Sequence, residues 1–438
     1  MNDKPKRVMG VLFLTVFLDI VGFSIIFPLF PDMLEYYFDR EGGAGLIGTL
    51  MENLQSITGG EEGESGFRAQ VLFGGLLGTL YSALQFIFAP IWGGLSDRRG
   101  RKPVLLLTIS GLALSYVLWF FSGTFLLLIL ARLLGGAMAG NIVVASAAVI
   151  DTTDAKSRAK GMGIIGAALG LGFICGPAIG GALALVDLTE YTESPGINPF
   201  SVPAAGAFLL ALWNLLWVKS KFSETLSPEN RGKAATVERT NNPLKLFRRY
   251  EYPGVNRTNL AYFIFFLAFS GMEFTLTFLA KDRFDYTRSS MVWIFVYIGL
   301  ILVLVQGGIV RRVAPKYGEK KVSLAGLILV AAGMLLTGLS AGQAGFYGGL
   351  ALLAVGSGLA IPSLASLVSL YAPDERQGEV QGVFRSLGAL ARAVGPIVAC
   401  AVYWEYGPVA LYVACAMVLV PALAMGAGLP RVEKAQGS

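Results

Sequence analysis

A short, strongly basic turn between two long uncharged segments places the tightest constraint on how this chain folds. The turn covers residues 93–102, and neither 71–92 before it nor 103–130 after it contains a charged side chain. An α-helix needs about 20 apolar residues to cross a bilayer, and both segments are long enough. Lysine and arginine concentrate in the short cytoplasmic loops of membrane proteins. The sequence therefore predicts two membrane-spanning helices joined by a cytoplasmic loop.

The composition of the whole chain indicates a membrane protein with many spans. Of the 438 residues, 54% are hydrophobic and 15% are charged, whereas soluble domains have about 25% charged residues. Most of the 35 lysines and arginines lie in the termini and in the loops on one side, so both termini are predicted to be cytoplasmic. Twelve spans are predicted, at 8–31, 70–94, 103–122, 124–150, 160–186, 200–219, 258–281, 289–311, 320–340, 345–371, 378–403 and 408–428.

The net charge and the rare residue types exclude several function classes. The charge of +6 is explained by basic loops that orient the chain in the membrane, so we expect no nucleic-acid partner. The sequence has no histidine, which excludes a histidine metal cluster, a Ser-His-Asp triad and a histidine proton relay. The cysteines, which lie singly in apolar segments, are expected to pack rather than to form disulfides. They are Cys175, Cys400 and Cys415.

An internal repeat predicts two halves. The Gly176-Pro177 pair of span five has a counterpart in Gly395-Pro396 of span eleven. We expect an N-terminal six-helix bundle at 1–219, a charged cytoplasmic linker at 220–257 and a C-terminal six-helix bundle at 258–438. The acidic, glycine-containing segment 32–69 is predicted to be a long external loop.

The basic turn resembles the signature loop G-x-L-x-D-R-x-G-R-K of the major facilitator superfamily of transporters. The resemblance implies an all-α fold of twelve transmembrane helices in two pseudo-symmetric bundles, which rock around a central site to give alternating access. It also implies that an aspartate and an arginine of the loop join an acidic residue at the end of span four in a conformational latch. The residues at these motif positions are Gly94, Asp97, Arg98, Gly100, Arg101, Lys102 and Asp151.

Span five has a glycine and proline pattern that resembles the motif G-x-x-x-G-P-x-x-G-G of drug:proton antiporters. Glycines four apart allow helices to approach closely, and a proline removes one backbone donor. Any tightly packed transmembrane helix can carry the pattern, but the resemblance favours exchange or export over uptake. The residues concerned are Gly172, Gly176, Pro177, Gly180 and Gly181.

Two ionisable residues are predicted deep in the N-terminal half. At 1.5 Å per residue, Asp19 lies roughly 16 Å and Arg132 roughly 12 Å from the nearer membrane surface. An ionisable group at that depth is a candidate functional residue. Segment 132–141, which ends at Asn141, resembles the motif whose arginine supports proton coupling, and the region around Asp19 resembles tetracycline efflux proteins. The alternative is a static Asp19–Arg132 pair that only stabilises the bundle.

The C-terminal half carries its own buried charges. Glu273 lies in span seven, and Arg385 and Arg392, seven residues apart, share one face of span eleven. These segments resemble the tetracycline transporter-like major facilitator proteins of animals, which are associated with efflux of drugs and organic anions. Two arginines facing a cavity suit a carboxylate or phosphate. The alternative is that Glu273 or backbone carbonyls neutralise them without any ligand.

The sequence thus predicts a non-enzymatic, proton-coupled exporter of amphipathic organic compounds in the plasma or inner membrane, working as a monomer. Its expected partners are a small-molecule substrate, protons and the lipid bilayer, and no cofactor or metal is expected. Two alternatives stay open: a proton-independent uniporter or exchanger for organic anions, and a lipid-handling or receptor-like protein on the same fold. Proton coupling is assigned to Asp19, Arg132 and Glu273, and substrate binding to Arg385, Arg392, Asn141, Phe23, Phe27 and Phe274.

Overall fold

Long helices account for nearly all of the chain that the structure describes. The computed structural model describes residues 4–41, 48–49, 64–153, 155–192, 194–226, 250–372 and 377–430. The first helices are α1 (Lys4–Ser24), α2 (Phe30–Glu41), α3 (Glu64–Arg99), α4 (Arg101–Phe120), α5 (Phe125–Met138), α6 (Asn141–Thr152), α7 (Ala155–Leu183) and α8 (Ser201–Lys221). The later ones are α9 (Pro253–Phe284), α10 (Arg288–Leu304), α11 (Val310–Tyr317), α12 (Glu319–Leu339), α13 (Gln343–Tyr371) and α14 (Gln377–Ala427).

The helices agree with the predicted spans. Within the described ranges, 11 helices are long and apolar enough to cross a membrane. The last of them, Val380–Ala427, contains Gly407, whose φ of 80° and ψ of 175° interrupt the helix. The spans on either side of this break are the eleventh and twelfth, so the twelve-helix prediction is confirmed.

Two predicted segments have a different local structure. The fourth span is two helices, α5 and α6, separated by Ala139 and Gly140. The segment 32–69 is not a loop throughout, because α2 continues to Glu41 and α3 begins at Glu64. Residues 42–47 and 50–63 lie outside the described part of the chain.

The chain forms two compact units. The first unit contains the described part of Met1–Asn241 together with Glu273–Tyr297 and Pro396–Gly407. The second contains the described part of Asn242–Met272, Ile298–Gly395 and Pro408–Ser438. The predicted division into halves at the linker 220–257 remains a prediction, since residues 227–249 lie outside the described ranges.

The first unit is held together where glycines of α7 meet the backbone of α1. A Cβ atom on Gly180 would lie 2.0 Å from the carbonyl oxygen of Ile25, and one on Gly176 would lie 2.7 Å from that of Val21. The Ser24 hydroxyl donates a hydrogen bond of 3.2 Å to the Gly172 carbonyl of α7. Gly172, Gly176 and Gly180 therefore form a packing surface for α1 and the residue after it, whereas Gly181 faces Val292.

The second unit repeats this contact between α9 and α14. A Cβ atom on Gly395 would lie 2.8 Å from the Leu267 carbonyl oxygen. The Ser270 hydroxyl donates to the Ala391 carbonyl at 3.3 Å. The glycines of the two repeated pairs, Gly176 and Gly395, thus make equivalent contacts, each inside its own unit.

The turns before α4 and α12 also share one backbone conformation. Gly100 has φ and ψ of 105° and 158°, and Gly318 has 84° and 146°. A positive φ is costly for residues with a Cβ atom, so glycine suits both positions. Neither glycine offers a side-chain cap to the helix that follows it.

Candidate functional site

A cluster of charges surrounds the turn between α3 and α4. The Arg101 guanidinium donates through Nη1 to Asp97 Oδ1 at 2.5 Å and through Nε to Asp151 Oδ2 at 2.8 Å. The Arg101 side chain is only 5% exposed. Ser96 Oγ accepts a further bond from Nη1 at 2.7 Å. The structure therefore brings together the three residues that the signature loop predicts as a cluster.

Glu224, which the sequence analysis missed, completes this cluster. Its Oε1 accepts from the Arg101 backbone N–H at 2.9 Å, and its Oε2 accepts from the Lys102 N–H at 3.1 Å. Gly100 has no side chain to cap α4, so Glu224 supplies the missing acceptors and places negative charge at the helix N-terminus. The neighbouring Thr225 hydroxyl donates to Asp151 Oδ2 at 3.1 Å. An isolated acid just after span six was the only sequence signal for this role.

The other residues of the signature loop lie at the edge of the cluster. Arg98 is exposed and Gly94 is partly exposed, with open space around its Cα. The Lys102 ammonium donates to the Lys219 carbonyl at 2.9 Å, which ties α4 to the end of α8. Of the charged residues in the signature loop, Asp97 and Arg101 are thus the buried ones.

We expect Asp97→Asn to slow transport about tenfold, which corresponds to about 1.4 kcal/mol in a barrier. The amide weakens one contact of Arg101 but leaves the contact with Asp151. Equilibrium binding of substrate should stay within about twofold of the parent protein, because a local charge pair acts on the conformational equilibrium. Transport rates and binding constants of the purified variant test this, with the exposed Asp39→Asn as a matched control. A large loss of affinity in a folded variant would contradict the latch role.

The break between α5 and α6 places Asn141 in contact with the buried carboxylate of Asp19. Gly140 is required there because a Cβ atom would lie 2.5 Å from the Trp92 ring. Asn141 begins α6 after this break, and its Nδ2 donates to Asp19 Oδ1 at 2.8 Å. The Thr108 hydroxyl donates to Asn141 Oδ1 at 2.5 Å. Three helices therefore converge on Asp19, which is 6% exposed.

Arg132 is held by aromatic rings. Its guanidinium carbon lies 4.4 Å from the centre of the Tyr81 ring and 5.8 Å from that of Phe23. Among the described residues no carboxylate forms a salt bridge with it, and its Nε and Nη2 atoms have no hydrogen-bond partner there. The static Asp19–Arg132 ion pair that was one alternative is therefore not formed in this structure.

The aromatic contacts of Arg132 contribute less free energy than burying its charge costs. A cation–π contact contributes about 0.5–2 kcal/mol. Desolvating an ion without a paired charge costs several kcal/mol. Arg132 is 4% exposed, so its two ring contacts offset only part of that cost.

The predicted aromatic residues have different surroundings. Phe23 lies 4.6 Å from Tyr81 and 5.1 Å from Phe27, measured between ring centres, and both phenylalanines also contact Phe173. Phe274 is nearly buried and packs against Phe30 at 4.8 Å. Phe23 therefore contacts Arg132 directly and Phe27 lies beside Phe23, whereas Phe274 packs against Phe30 in the first unit.

The second unit contains the two arginines of α14. The Arg392 guanidinium carbon lies 5.1 Å from the centre of the Phe266 ring. The Tyr262 ring stacks on Phe384 at 3.7 Å, and Tyr262 interacts electrostatically with both Arg385 and Arg392. Both arginines are half-buried. The predicted pair is thus joined by a tyrosine that the sequence analysis did not single out. Glu273, also half-buried, belongs to the first unit.

A polytopic helical bundle with charges buried inside single spans, and with glycine-lined contacts between its helices, is typical of membrane transporters. The chain belongs to the Major Facilitator Superfamily, whose sequence profile matches residues 12–396. The family consists of transporters, and the protein is a multi-pass membrane protein that moves small molecules.

Similar proteins fall into two groups. The chain is 34% identical to major facilitator superfamily domain-containing protein 10 of Mus musculus in an alignment 438 positions long, which spans 95% of this chain and 92% of that protein. It is 29% identical to the class B tetracycline resistance protein of Escherichia coli over 408 residues, or 92% and 89% of the two chains.

Solved structures agree with this family. The crystal structure of the human organic anion transporter MFSD10 (TETRAN) matches with a TM-score of 0.78 at 32% identity, covering 96% of this chain and 99% of that one. A bacterial homologue of the human lysosomal transporter Spinster, in an inward-facing and occupied conformation, matches with a TM-score of 0.67 at 14% identity, covering 99% and 98% of the chains. The latter likeness supports the fold alone.

Proposed function

We propose that this protein is a proton-coupled secondary transporter that exports amphipathic organic compounds, organic anions among them, by alternating access. Asp19 is the proton-binding group, with Arg132 and Glu273 as the other coupling residues. The protein acts as a monomer in the plasma or inner membrane with both termini in the cytoplasm. The two bundles at 1–219 and 258–438, joined by the linker 220–257, are the moving parts.

The observation that carries this proposal is the neutral hydrogen-bond partner of the Asp19 carboxylate. Asp19 accepts from the Asn141 amide and has no salt bridge among the described residues. A carboxylate clamped by a guanidinium holds its negative charge tightly. A carboxylate held by a neutral amide is freer to gain and lose a proton during a transport cycle.

The organic-anion part of the proposal is supported by the arginines of α14 and by one relative. The solved relative at 32% identity is described as an organic anion transporter. Arg385 and Arg392 lie on one helix, and Tyr262 interacts electrostatically with both. Guanidinium groups bind carboxylates through two parallel hydrogen bonds, which gives a preference for anions over amines.

The test is transport by the purified protein in liposomes with an imposed pH gradient. Three matched aromatic probes are used: a carboxylic acid, its amide and its amine. We expect accumulation of the acid that follows the gradient and collapses when a protonophore is added. Transport whose rate and extent depend on neither the pH gradient nor the protonophore would favour the proton-independent uniporter or exchanger for organic anions instead. No movement of any probe would favour a lipid-handling or receptor-like protein.

We expect Arg385→Gln and Arg392→Gln to weaken binding of the acid about tenfold, since a hydrogen bond to a charged group contributes about 1.5–3 kcal/mol. Binding of the amide should change less than that of the acid, because glutamine preserves much of the side-chain volume. Binding isotherms for the three probes check this order. If the amine binds best to the parent protein and neither variant changes the order, the α14 arginines do not set an anion preference.

A further inference from the structure

We propose that Arg132 binds the carboxylate of an aromatic substrate within the first unit. This inference rests on the proposed transport of organic anions and adds a cation of the first unit to the α14 arginines. It assigns Arg132 a direct contact with substrate, which its place among the coupling residues does not include.

The hydrogen-bond donors at and around Arg132 suit a ligand that only accepts hydrogen bonds. Nε and Nη2 of the guanidinium are donors without acceptors among the described residues, and the Tyr116 hydroxyl also lacks a partner there. Tyr116 interacts electrostatically with Arg132, and its hydroxyl faces Gly22, next to Phe23 in the chain. An ionised carboxylate offers about four acceptor sites and no donor, which matches this set.

Asp19, which interacts electrostatically with the same two tyrosines as Arg132, does not fill this role. Asp19 is engaged by Asn141 at 2.8 Å, and Asn141 is in turn fixed by Thr108. These bonds connect α1, α4 and α6 and hold the carboxylate at the break after Gly140. Arg132 is left with rings as its neighbours instead of a counter-ion.

The two rings that contact Arg132 belong to a larger aromatic set, which defines the rest of the ligand. Phe23, Tyr81, Phe27 and Phe173 form a connected set, with ring centres between 4.6 and 6.3 Å apart. Aromatic side chains prefer offset or edge contacts with another ring at such distances. An aromatic ring that carries one carboxylate satisfies both the rings and the guanidinium, whereas an inorganic anion satisfies only the latter.

The experiment measures binding of 2-naphthoate and of its neutral counterpart 2-naphthamide to the full-length protein in detergent by calorimetry. We expect the parent protein to prefer naphthoate. Arg132→Gln should weaken naphthoate binding by about tenfold or more, the range of a charge-assisted hydrogen bond, and should change naphthamide binding little. The matched control is Arg312→Gln, because Arg312 is exposed on α11 and should not affect either ligand.

A second variant keeps the test decisive if Arg132→Gln does not purify. Arg132→Lys retains the charge but loses the planar fork, so naphthoate binding should weaken by roughly threefold to tenfold while the preference over naphthamide remains. Unchanged affinity in either variant would overturn the assignment. If chloride titrated alone binds in an Arg132-dependent way and naphthoate does not, the ligand is an inorganic anion and the aromatic assignment fails.

The outcome also separates this inference from the proposed function. If Arg385→Gln loses the naphthoate preference and Arg132→Gln keeps it, Arg132 is not a binding residue but organic anion transport stands. If the parent protein shows no preference for naphthoate, both the binding role of Arg132 and the anion selectivity are wrong.

Discussion

The variant Asp19→Asn is expected to abolish substrate accumulation driven by a pH gradient. Asparagine has the shape of aspartate but cannot take up a proton. Its Oδ1 can still accept the hydrogen bond that Asn141 donates at 2.8 Å, so the contacts among α1, α4 and α6 persist. The variant should therefore express and unfold like the parent protein. Its exchange of labelled for unlabelled substrate, which needs no net proton movement, should continue at a reduced rate.

Gradient-driven uptake into liposomes and substrate exchange without a gradient, measured side by side, test this expectation. Asp19→Glu is the matched control, because it keeps a carboxylate at the same position and should retain part of the coupling. Full gradient-driven transport by Asp19→Asn would remove Asp19 from the coupling machinery. Loss of both activities with a normal unfolding temperature would assign Asp19 to substrate movement itself.

The variant Gly180→Ala should have the second large effect, on folding. The added Cβ atom would lie 2.0 Å from the Ile25 carbonyl oxygen, so α7 and α1 must separate. Overpacking of this kind costs about 1–3 kcal/mol or more, because backbone cannot rotate away as a flexible side chain does. We expect a lower unfolding temperature and loss of most transport.

Gly166→Ala on the same helix is the matched control, since nothing lies within 4 Å of its added methyl group. In a helix interior alanine is favoured over glycine by about 0.8–1 kcal/mol, so this variant should be neutral or slightly stabilised. Unfolding temperatures in detergent, followed by tryptophan fluorescence, compare the two. Equal behaviour of the two variants would mean that the α1–α7 contact adjusts freely and is not a packing constraint.

Span number, the family and the signature cluster are predictable from the sequence because each depends on local pattern. Hydrophobic length alone predicts spans that the helices reproduce. The cluster of Asp97, Arg101 and Asp151 follows from one loop and the end of one helix. The proposed roles of these residues remain predictions.

Glu224 and Tyr262 escape such an analysis because their importance depends on contacts between distant segments. Glu224 meets the start of α4 at Arg101 only after four intervening helices have packed. Tyr262 matters because it interacts electrostatically with Arg385 and Arg392, which lie in a helix far along the chain. Nothing in the sequence near either residue distinguishes it from an ordinary surface acid or packing ring.

The sequence by itself determined that this protein is a twelve-helix transporter of the major facilitator superfamily, since span length and the motifs that carry the family resemblance are local properties. Tertiary structure decided which partner each buried charge has. Asp19 binds Asn141 and not Arg132, because the break at Gly140 turns the start of α6 toward α1. Depth along a helix can be counted from the sequence, but the direction of a side chain and the identity of its neighbour arise only when helices pack.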